Sequence, residues 1–392
     1  MIRRSILFRS GTFLVDGKFE PCSVRVANGK IKEIDVSLIP RPGERVVDLE
    51  GLHVIPAFIN AHDHLEFNLY PRLGSPPYRN YVEWAHDIQK NDQDLIQRVL
   101  RVPLRLRLLW GAYKNIISGV STVIHHNPYF YHFRYRYPVH VFKEYDWIHS
   151  IQLDDSVAAK IRKRHHRPLL IHLAEGIDEL MASELSKLDG MGGLTKDTIL
   201  IHGVGLTKAD AELLIAKGGG VVWCPTSNEY LFGKTAPVNM LLGKIPVVLG
   251  TDSCLTGSRS LFEEMRYAKR AGLDPHKILA MVTSEAASLF GLNEGRVAPG
   301  AQANFLGFQM AGSDPFERIA TLSPSEIELL TYRGVATLGS EKFKHLFKRN
   351  STPIRLDGIH RIVVGDLPSI LRKIRALLPS WNSADFGLES TS

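Results

Sequence analysis

His53-Val-Ile-Pro-Ala-Phe-Ile-Asn-Ala-His62-Asp-His64-Leu65 is the stretch where the chain changes character. An apolar run ends there in two histidines at i and i+2. On an extended chain these point to the same side, so both imidazoles can reach one ion. On its N-terminal side, β-type runs at 5–8, 12–15, 23–26 and 30–34 alternate with turns, and Asp16-Gly17 and Asn28-Gly29 are hairpin signals. They predict part of a β-sandwich over 1–54, too small to bury both faces without partner strands. On its C-terminal side, apolar strands at 53–59, 121–124, 139–142, 168–173, 198–201, 220–224 and 245–250 alternate with helical patterns such as 177–188, 207–217 and 261–271. That rhythm argues for parallel βαβ units. It predicts an α/β fold, a (β/α)8 TIM barrel over 55–294. The interval from 139 to 173 is too short for two full βα repeats, so a stunted strand is placed at 147–152. Residues 295–365 return to β character and predict the rest of the sandwich, built from both chain ends. Residues 366–392 are read as a C-terminal helix and tail.

The 392 residues are 44% hydrophobic and 23% charged, a balance that excludes wholesale disorder. No run approaches the ~18 apolar residues of a membrane span. Residues 1–9 carry charge with no apolar segment behind them, and Cys22, Cys224 and Cys254 are few and far apart. A cytoplasmic protein without a disulfide framework is expected. Net charge is 48 − 41 = +7. Between 95 and 143 there is no acid but eight bases: Arg98, Arg101, Arg105, Arg107, Lys114, Arg134, Arg136 and Lys143. Such a run favours an anionic substrate, an acidic surface elsewhere on the fold or a subunit contact, as in a homodimer, and does not demand nucleic acid.

Polar residues recur at the C-terminal ends of the predicted strands: His62 and His64, then His172 with Glu175, then His202, then Asp252. In a barrel these ends converge on one mouth, the face where barrel active sites are built. A lone His-x-His arises often by chance, and a single histidine ending a buried strand is usually a satisfied core residue. Four such ends in order, each after an apolar strand, are the argument for a metal site.

Pro56-Ala-Phe-Ile-Asn-Ala-His-Asp-His-Leu, His172-Leu-Ala-Glu, His202-Gly, Cys224-Pro-Thr-Ser-Asn228 and Gly250-Thr-Asp-Ser together resemble the amidohydrolase superfamily, in the branch of cytosine and guanine deaminases and chlorotriazine hydrolases. The resemblance spans residues 51–303. It implies that His62, His64, His172 and Asp252 hold one divalent metal, zinc or alternatively iron. It also implies that Glu175 shuttles protons, that His202 assists the water and polarises the substrate, and that Asp252 takes the water's proton. A bound metal lowers its water's pKa to about 7, leaving hydroxide to attack an sp² carbon while Glu175 protonates a ring nitrogen and the departing amine. Binuclear members bridge two metals with a middle-strand lysine or glutamate, for which Lys143 and Glu144 are the candidates here. The intact His172-x-x-Glu175 favours one metal and leaves the binuclear form a minor alternative. Asn304 stands where the family usually has Asp, and the segment after Met310 matches nothing in it.

For the substrate, Asn228 could bind it or fix its own loop, and His126, beside His125 at the end of strand two, faces the mouth. Arg72, with Glu66, Asn68 and Tyr70, follows the first motif. The loop Tyr129-Phe-Tyr-His-Phe-Arg134-Tyr-Arg136-Tyr137 would roof the site and suits a flat, anionic ligand through stacking and charge pairing. The same composition serves subunit contacts and, less aptly, single-stranded nucleic acid. There is no Gly-x-x-x-x-Gly-Lys-Ser/Thr and no Gly-x-Ser-x-Gly. The expected activity is hydrolytic deamination of a small nitrogen heterocycle. Ring-opening of a cyclic amide or amidine uses the same constellation, and an inactive barrel acting as a binding protein is the reading from another class.

Overall fold

The computed structural model describes residues 5–165, 167–347 and 350–389. The N-terminal strands are β1 (Ile6–Val15), β2 (Lys18–Ala27), β3 (Lys30–Asp35), β4 (Arg45–Asp48) and β5 (Leu52–Pro56). Asp16-Gly17 and Asn28-Gly29 turn the first two hairpins with positive φ at all four residues (47°, 80°, 57° and 77°), the geometry whose twist matches the flanking strands.

Eight parallel-type strands follow: β6 (Phe58–Asp63), β7 (Val120–His125), β8 (His140–Phe142), β9 (Asp146–Ser150), β10 (Leu169–Leu173), β11 (Thr198–His202), β12 (Gly220–Trp223) and β13 (Val247–Leu249). Then come β14 (Phe305–Gln309), β15 (Ile327–Tyr332), β16 (Val335–Gly339), β17 (Ser351–Leu356) and β18 (Ile359–Val364). β5 pairs antiparallel with β14, from Leu52 opposite Gln309 to Pro56 opposite Phe305. That ladder welds both chain ends into one ten-stranded sheet.

The barrel is the expected one, with its shortening now visible. β6, β7 and β8 form one ladder and β9 to β13 another. Residues 143–145 alone separate β8 from β9, far fewer than the dozen that a helical crossover needs. The chain therefore runs from β8 into β9 along the barrel wall without a helix between them. On the other side, the Thr251 and Asp252 amides donate to the His62 carbonyl at 3.0 and 3.1 Å, tying the end of β13 to β6. Strand residues alternate as the two-residue period demands. Ile59, Ala61, Ile124, Leu170, Ile199, Ile201, Val222 and Val248 share one dry cluster with Ala286, Ala287 and Phe290. Ile171, Leu200, Val221 and Val247 belong to the larger cluster with helix residues such as Leu185, Leu214 and Phe262. Burial on both faces is why these strands read as unbroken apolar runs. The helix Lys208–Lys217 begins on a Thr207/Asp210 capping box and ends at Gly218 with φ 79°, the start and stop its sequence spells. Among the described residues no helix is long and apolar enough to cross a membrane.

Asn304, the departure at the end of the resemblance, has a local cause. Its amide donates to the carboxyl of Glu294, and its oxygen accepts from the Arg333 amide at 2.8 Å. Both side chains are buried, so an aspartate here would set two carboxylates against each other.

Candidate active site

β6 carries His62 and leads into His64, β10 carries His172, β11 ends on His202, and Asp252 follows β13. The fold brings all five together. His62 Nε2 lies 3.3 Å from His172 Nε2, and Asp252 Oδ1 lies 3.8 Å from the Nε2 atoms of both His62 and His64. His202 Nε2 is 3.6 Å from Glu175 Oε1. The chain bends unusually to do this. Ala174, His202 and Asp252 take left-handed φ values of 52°, 73° and 52°, costing about 1–3 kcal/mol each for a non-glycine residue. The strained backbone sits at three strand ends that carry candidate catalytic groups.

Two of the histidines are oriented by a hydrogen bond from Nδ1. His172 Nδ1 donates to the His149 carbonyl at 2.7 Å, leaving the Nε2 lone pair toward His62. His202 Nδ1 donates to Asn228 Oδ1 at 2.8 Å, so Asn228, from the helix Pro225–Phe232, holds a histidine in place. Burial pushes His62, His172 and His202 down, and His64 to about 4, so the imidazoles are neutral, as metal ligands must be. Burial alone would raise Asp252. His64, His202 and the hydroxyls of Thr256 and Ser227, at 2.6 and 2.9 Å, hold it below the usual carboxylate range. Glu175 goes the other way: burial first and the Asp252 charge second push its carboxyl well up. Residual exposure falls on His64 (8%), Glu175 (7%), Asp252 (7%) and His172 (5%), so this side of the cluster is the one open to solvent. Neutral imidazole lone pairs and one carboxylate converge from three strand ends, a donor set that suits a divalent ion.

Other expected residues lie elsewhere. Lys143 and Glu144 are exposed and pair with each other at 3.7 Å, so neither reaches the cluster as a bridge between two metals. Arg72 donates to the Gly257 carbonyl at 3.2 Å and stacks over Tyr230, bracing the loop after Asp252. The aromatic loop does reach the site's flank, where Phe130 and Phe133 pack on His125. Arg134 and Arg136 turn outward, lining a cavity of about 880 Å³ with Tyr332 and Arg333 of the composite sheet. The structure therefore does not bring these two arginines to the cluster, because the loop spends its apolar rings on the barrel and leaves its charges to solvent. Arg134→Ala and Arg136→Ala are accordingly expected to leave kcat/KM within about twofold of wild type. A tenfold rise in KM in steady-state assays, the size of one lost charge-assisted contact, would return them to the substrate.

A buried network beneath the site was not anticipated. Lys114, on the helix Leu104–Ile117, is fully buried and donates to Asn68 Oδ1 at 2.8 Å, with Thr251 Oγ1 at 3.3 Å and Asp63 Oδ2 at 3.4 Å. Asn60 bridges Asn115 and Thr251. Burial works against the ammonium more than any other single influence, but Asp63, Cys254 and Asp252 together outweigh it and hold the lysine's pKa up. The network joins Asp63, the residue between His62 and His64, to Thr251, the residue before Asp252. The signal was Lys114 itself, one charge inside Leu-Leu-Trp-Gly-Ala-Tyr-Lys-Asn-Ile-Ile. Lys114→Met should leave Asp63 buried without its cation and cost about 3–5 kcal/mol of stability, read as a lower denaturation midpoint in urea. An unchanged midpoint would mean that the pair contributes nothing.

Comparison with known proteins agrees with this geometry. Residues 151–335 match the model of the amidohydrolase family, a span that holds His172, Glu175, His202 and Asp252. The chain is 26% identical over 373 residues to the 5-methylthioadenosine/S-adenosylhomocysteine deaminase of Pyrococcus abyssi, covering 78% of this chain and 85% of that one. Against the enzyme of the same name from Haloarcula marismortui it is 34% identical over 139 residues, 33% of this chain and 32% of that one. Triazine hydrolase from Arthobacter aurescens superposes with a TM-score of 0.77 at 16% identity, over 96% of this chain and 100% of that chain. An adenosine deaminase from Xanthomonas campestris with bound zinc gives 0.70 at 16%, over 96% and 98%. At such identities these two likenesses speak for the fold alone. Domain match, fold and the ordered strand-end residues converge: residues 151–335 carry an amidohydrolase-family domain, that of a hydrolase of carbon–nitrogen bonds.

Proposed function

We propose that this enzyme is a zinc-dependent hydrolytic deaminase of an amino-substituted purine ring, presented as a nucleoside or a nucleoside thioether. The observation that carries this is Glu175: a buried carboxyl 3.6 Å from His202 Nε2 and beside a metal-type cluster, its pKa pushed up by burial, placed to exchange protons with a substrate. The deaminases among its relatives point to the purine.

His62, His64, His172 and Asp252 would hold the ion. When bound, it supplies a Lewis acid and an activated water. The remaining chemistry belongs to side chains. Asp252, held ionised by the Ser227 and Thr256 hydroxyls, accepts the proton that the attacking water loses. Glu175 gives its proton to the ring nitrogen next to the amine-bearing carbon, making that carbon the better electrophile. His202, its Nδ1–H given to Asn228, presents the Nε2 lone pair as the acceptor for the hydroxyl that forms on the carbon. The C–O bond forms, and the proton taken by Asp252 passes through Glu175 to the amino group. The C–N bond breaks to release ammonia, and the new hydroxyl's proton returns to Glu175 as the carbonyl forms. General acid/base transfer of this kind contributes about 10²–10⁴ in rate.

An ammonia-release screen of the zinc-loaded protein over aminopurine nucleosides, aminopyrimidines, triazines and cyclic amides tests the proposal. Turnover should be best with a 6-aminopurine nucleoside. Consumption of a cyclic amide without ammonia would replace deamination by ring opening, and full zinc with no turnover of any class would make the barrel a binding protein.

A further inference from the structure

His126 follows β7 and takes no part in the chemistry above, yet the structure fixes it as firmly as the assigned ligands. Its Nε2 lies 3.0 Å from the Ile148 carbonyl oxygen. A carbonyl can only accept, so Nε2 carries the proton and Nδ1 the lone pair. That Nδ1 is buried and has no hydrogen-bond partner among the described residues. The ring is packed against the cluster. The His126 ring lies 4.3 Å from that of His172 and 5.3 Å from that of His62, and the ligating atoms of His62, His126 and His172 lie within 4.8 Å of one another.

Strand β9 sets two of these rings at once. Successive carbonyls, Ile148 and His149, take the N–H of His126 and of His172 respectively. Both rings are thereby locked in the tautomer whose free lone pair faces inward. The short link at 143–145 is what brings β9 against the end of β7. Two buried lone pairs facing each other with no proton between them repel, and a cation between them removes the repulsion.

We propose that His126 is a fifth protein ligand of the divalent ion, through Nδ1, beside His62, His64, His172 and Asp252. This rests on the metal-dependent reading above and deepens it: five protein ligands disfavour a tetrahedral ion and hold it more tightly.

The test uses the full chain, with zinc affinity measured by chelator competition and coordination read from the visible absorption of the cobalt(II)-substituted protein. His126→Gln keeps a side-chain N–H for the Ile148 carbonyl. It should weaken zinc by about 10–100-fold or more and intensify the cobalt bands as the coordination number falls. Unchanged affinity and spectrum, with or without a raised KM, would overturn the proposal and give His126 to the substrate. His64→Ala is the reference. If it too leaves ion and spectrum unchanged, the metal-dependent reading itself fails, whereas a loss confined to His64→Ala removes only His126. Should His126→Gln not fold, proton magnetic resonance of the cobalt-substituted wild type decides. Four paramagnetically shifted exchangeable ring N–H signals are expected, from His62, His64, His126 and His172, and three would refute the fifth ligand.

Discussion

Alanine in place of His62 or of His64 is expected to remove the bound ion and the activity together. His62 Nε2 stands between His172 Nε2 at 3.3 Å and Asp252 Oδ1 at 3.8 Å, so its loss takes the donor that joins the β10 side of the cluster to the β13 side. His64 contributes from the open side, 3.8 Å from the same Asp252 oxygen. The two substitutions differ in side effect. His62 is fully buried, and truncating it leaves a cavity as well as a missing ligand, with the structural cost that cavities carry. His64 is at the rim, so His64→Ala should keep a near-wild-type melting curve while losing the ion. Elemental analysis after dialysis, with thermal unfolding alongside, separates the two effects. Activity should fall to background in both variants, because without the ion the water holds its proton and is a poor nucleophile. Full metal occupancy in both would sink the ligand assignment. Treating the wild type with a chelator should give the same loss, reversed by zinc.

Much of this was legible because the barrel writes its strands as apolar runs and its chemistry at their ends. His172 and Asp252 can be read from one sequence because each follows an apolar strand, and a parallel barrel sends all such ends to one face. The shortened third and fourth strands were legible as a deficit of length between 139 and 173. What length could not reveal is that β9 uses the saved distance to press two carbonyls against two imidazoles. Lys114 hides for a similar reason. A charge on an apolar helix shows in the sequence, but its partners Asp63, Asn68 and Thr251 are contributed by segments up to 137 residues away. The arginines of the aromatic loop mislead in the opposite direction. Sequence position placed the loop after β7, and Phe130 and Phe133 do lie on His125. Which way alternate side chains of an irregular loop face is set by packing, and here packing takes Phe133 and Tyr137 inward and leaves Tyr131, Tyr135 and the guanidinium groups out. Asn228 was left between two roles, and the hydrogen bond to His202 Nδ1 accounts for it without a substrate.

Glu175→Gln should leave the ion in place and cost at least about 100-fold in kcat, toward the lower end of what positioned acid/base groups contribute. Glutamine has the shape of the protonated carboxyl and still donates a hydrogen bond, so substrate affinity should change little and the loss should fall on kcat. What it cannot do is release a proton and take one back, and deamination asks this group for both. Glu175 is suited to that duty by its surroundings. Burial and the nearby Asp252 charge hold its proton on, and the left-handed turn at Ala174 sets the carboxyl 3.6 Å from His202 Nε2. A substrate carrying a halide in place of the amine sharpens the test. Halide departs without a proton, so the same variant should lose less on it than on the amine, since only the protonation of the ring nitrogen is then missing. Near-normal turnover of the amine by a zinc-replete Glu175→Gln protein would remove Glu175 as the shuttle, and the deaminase reading would lose its main support.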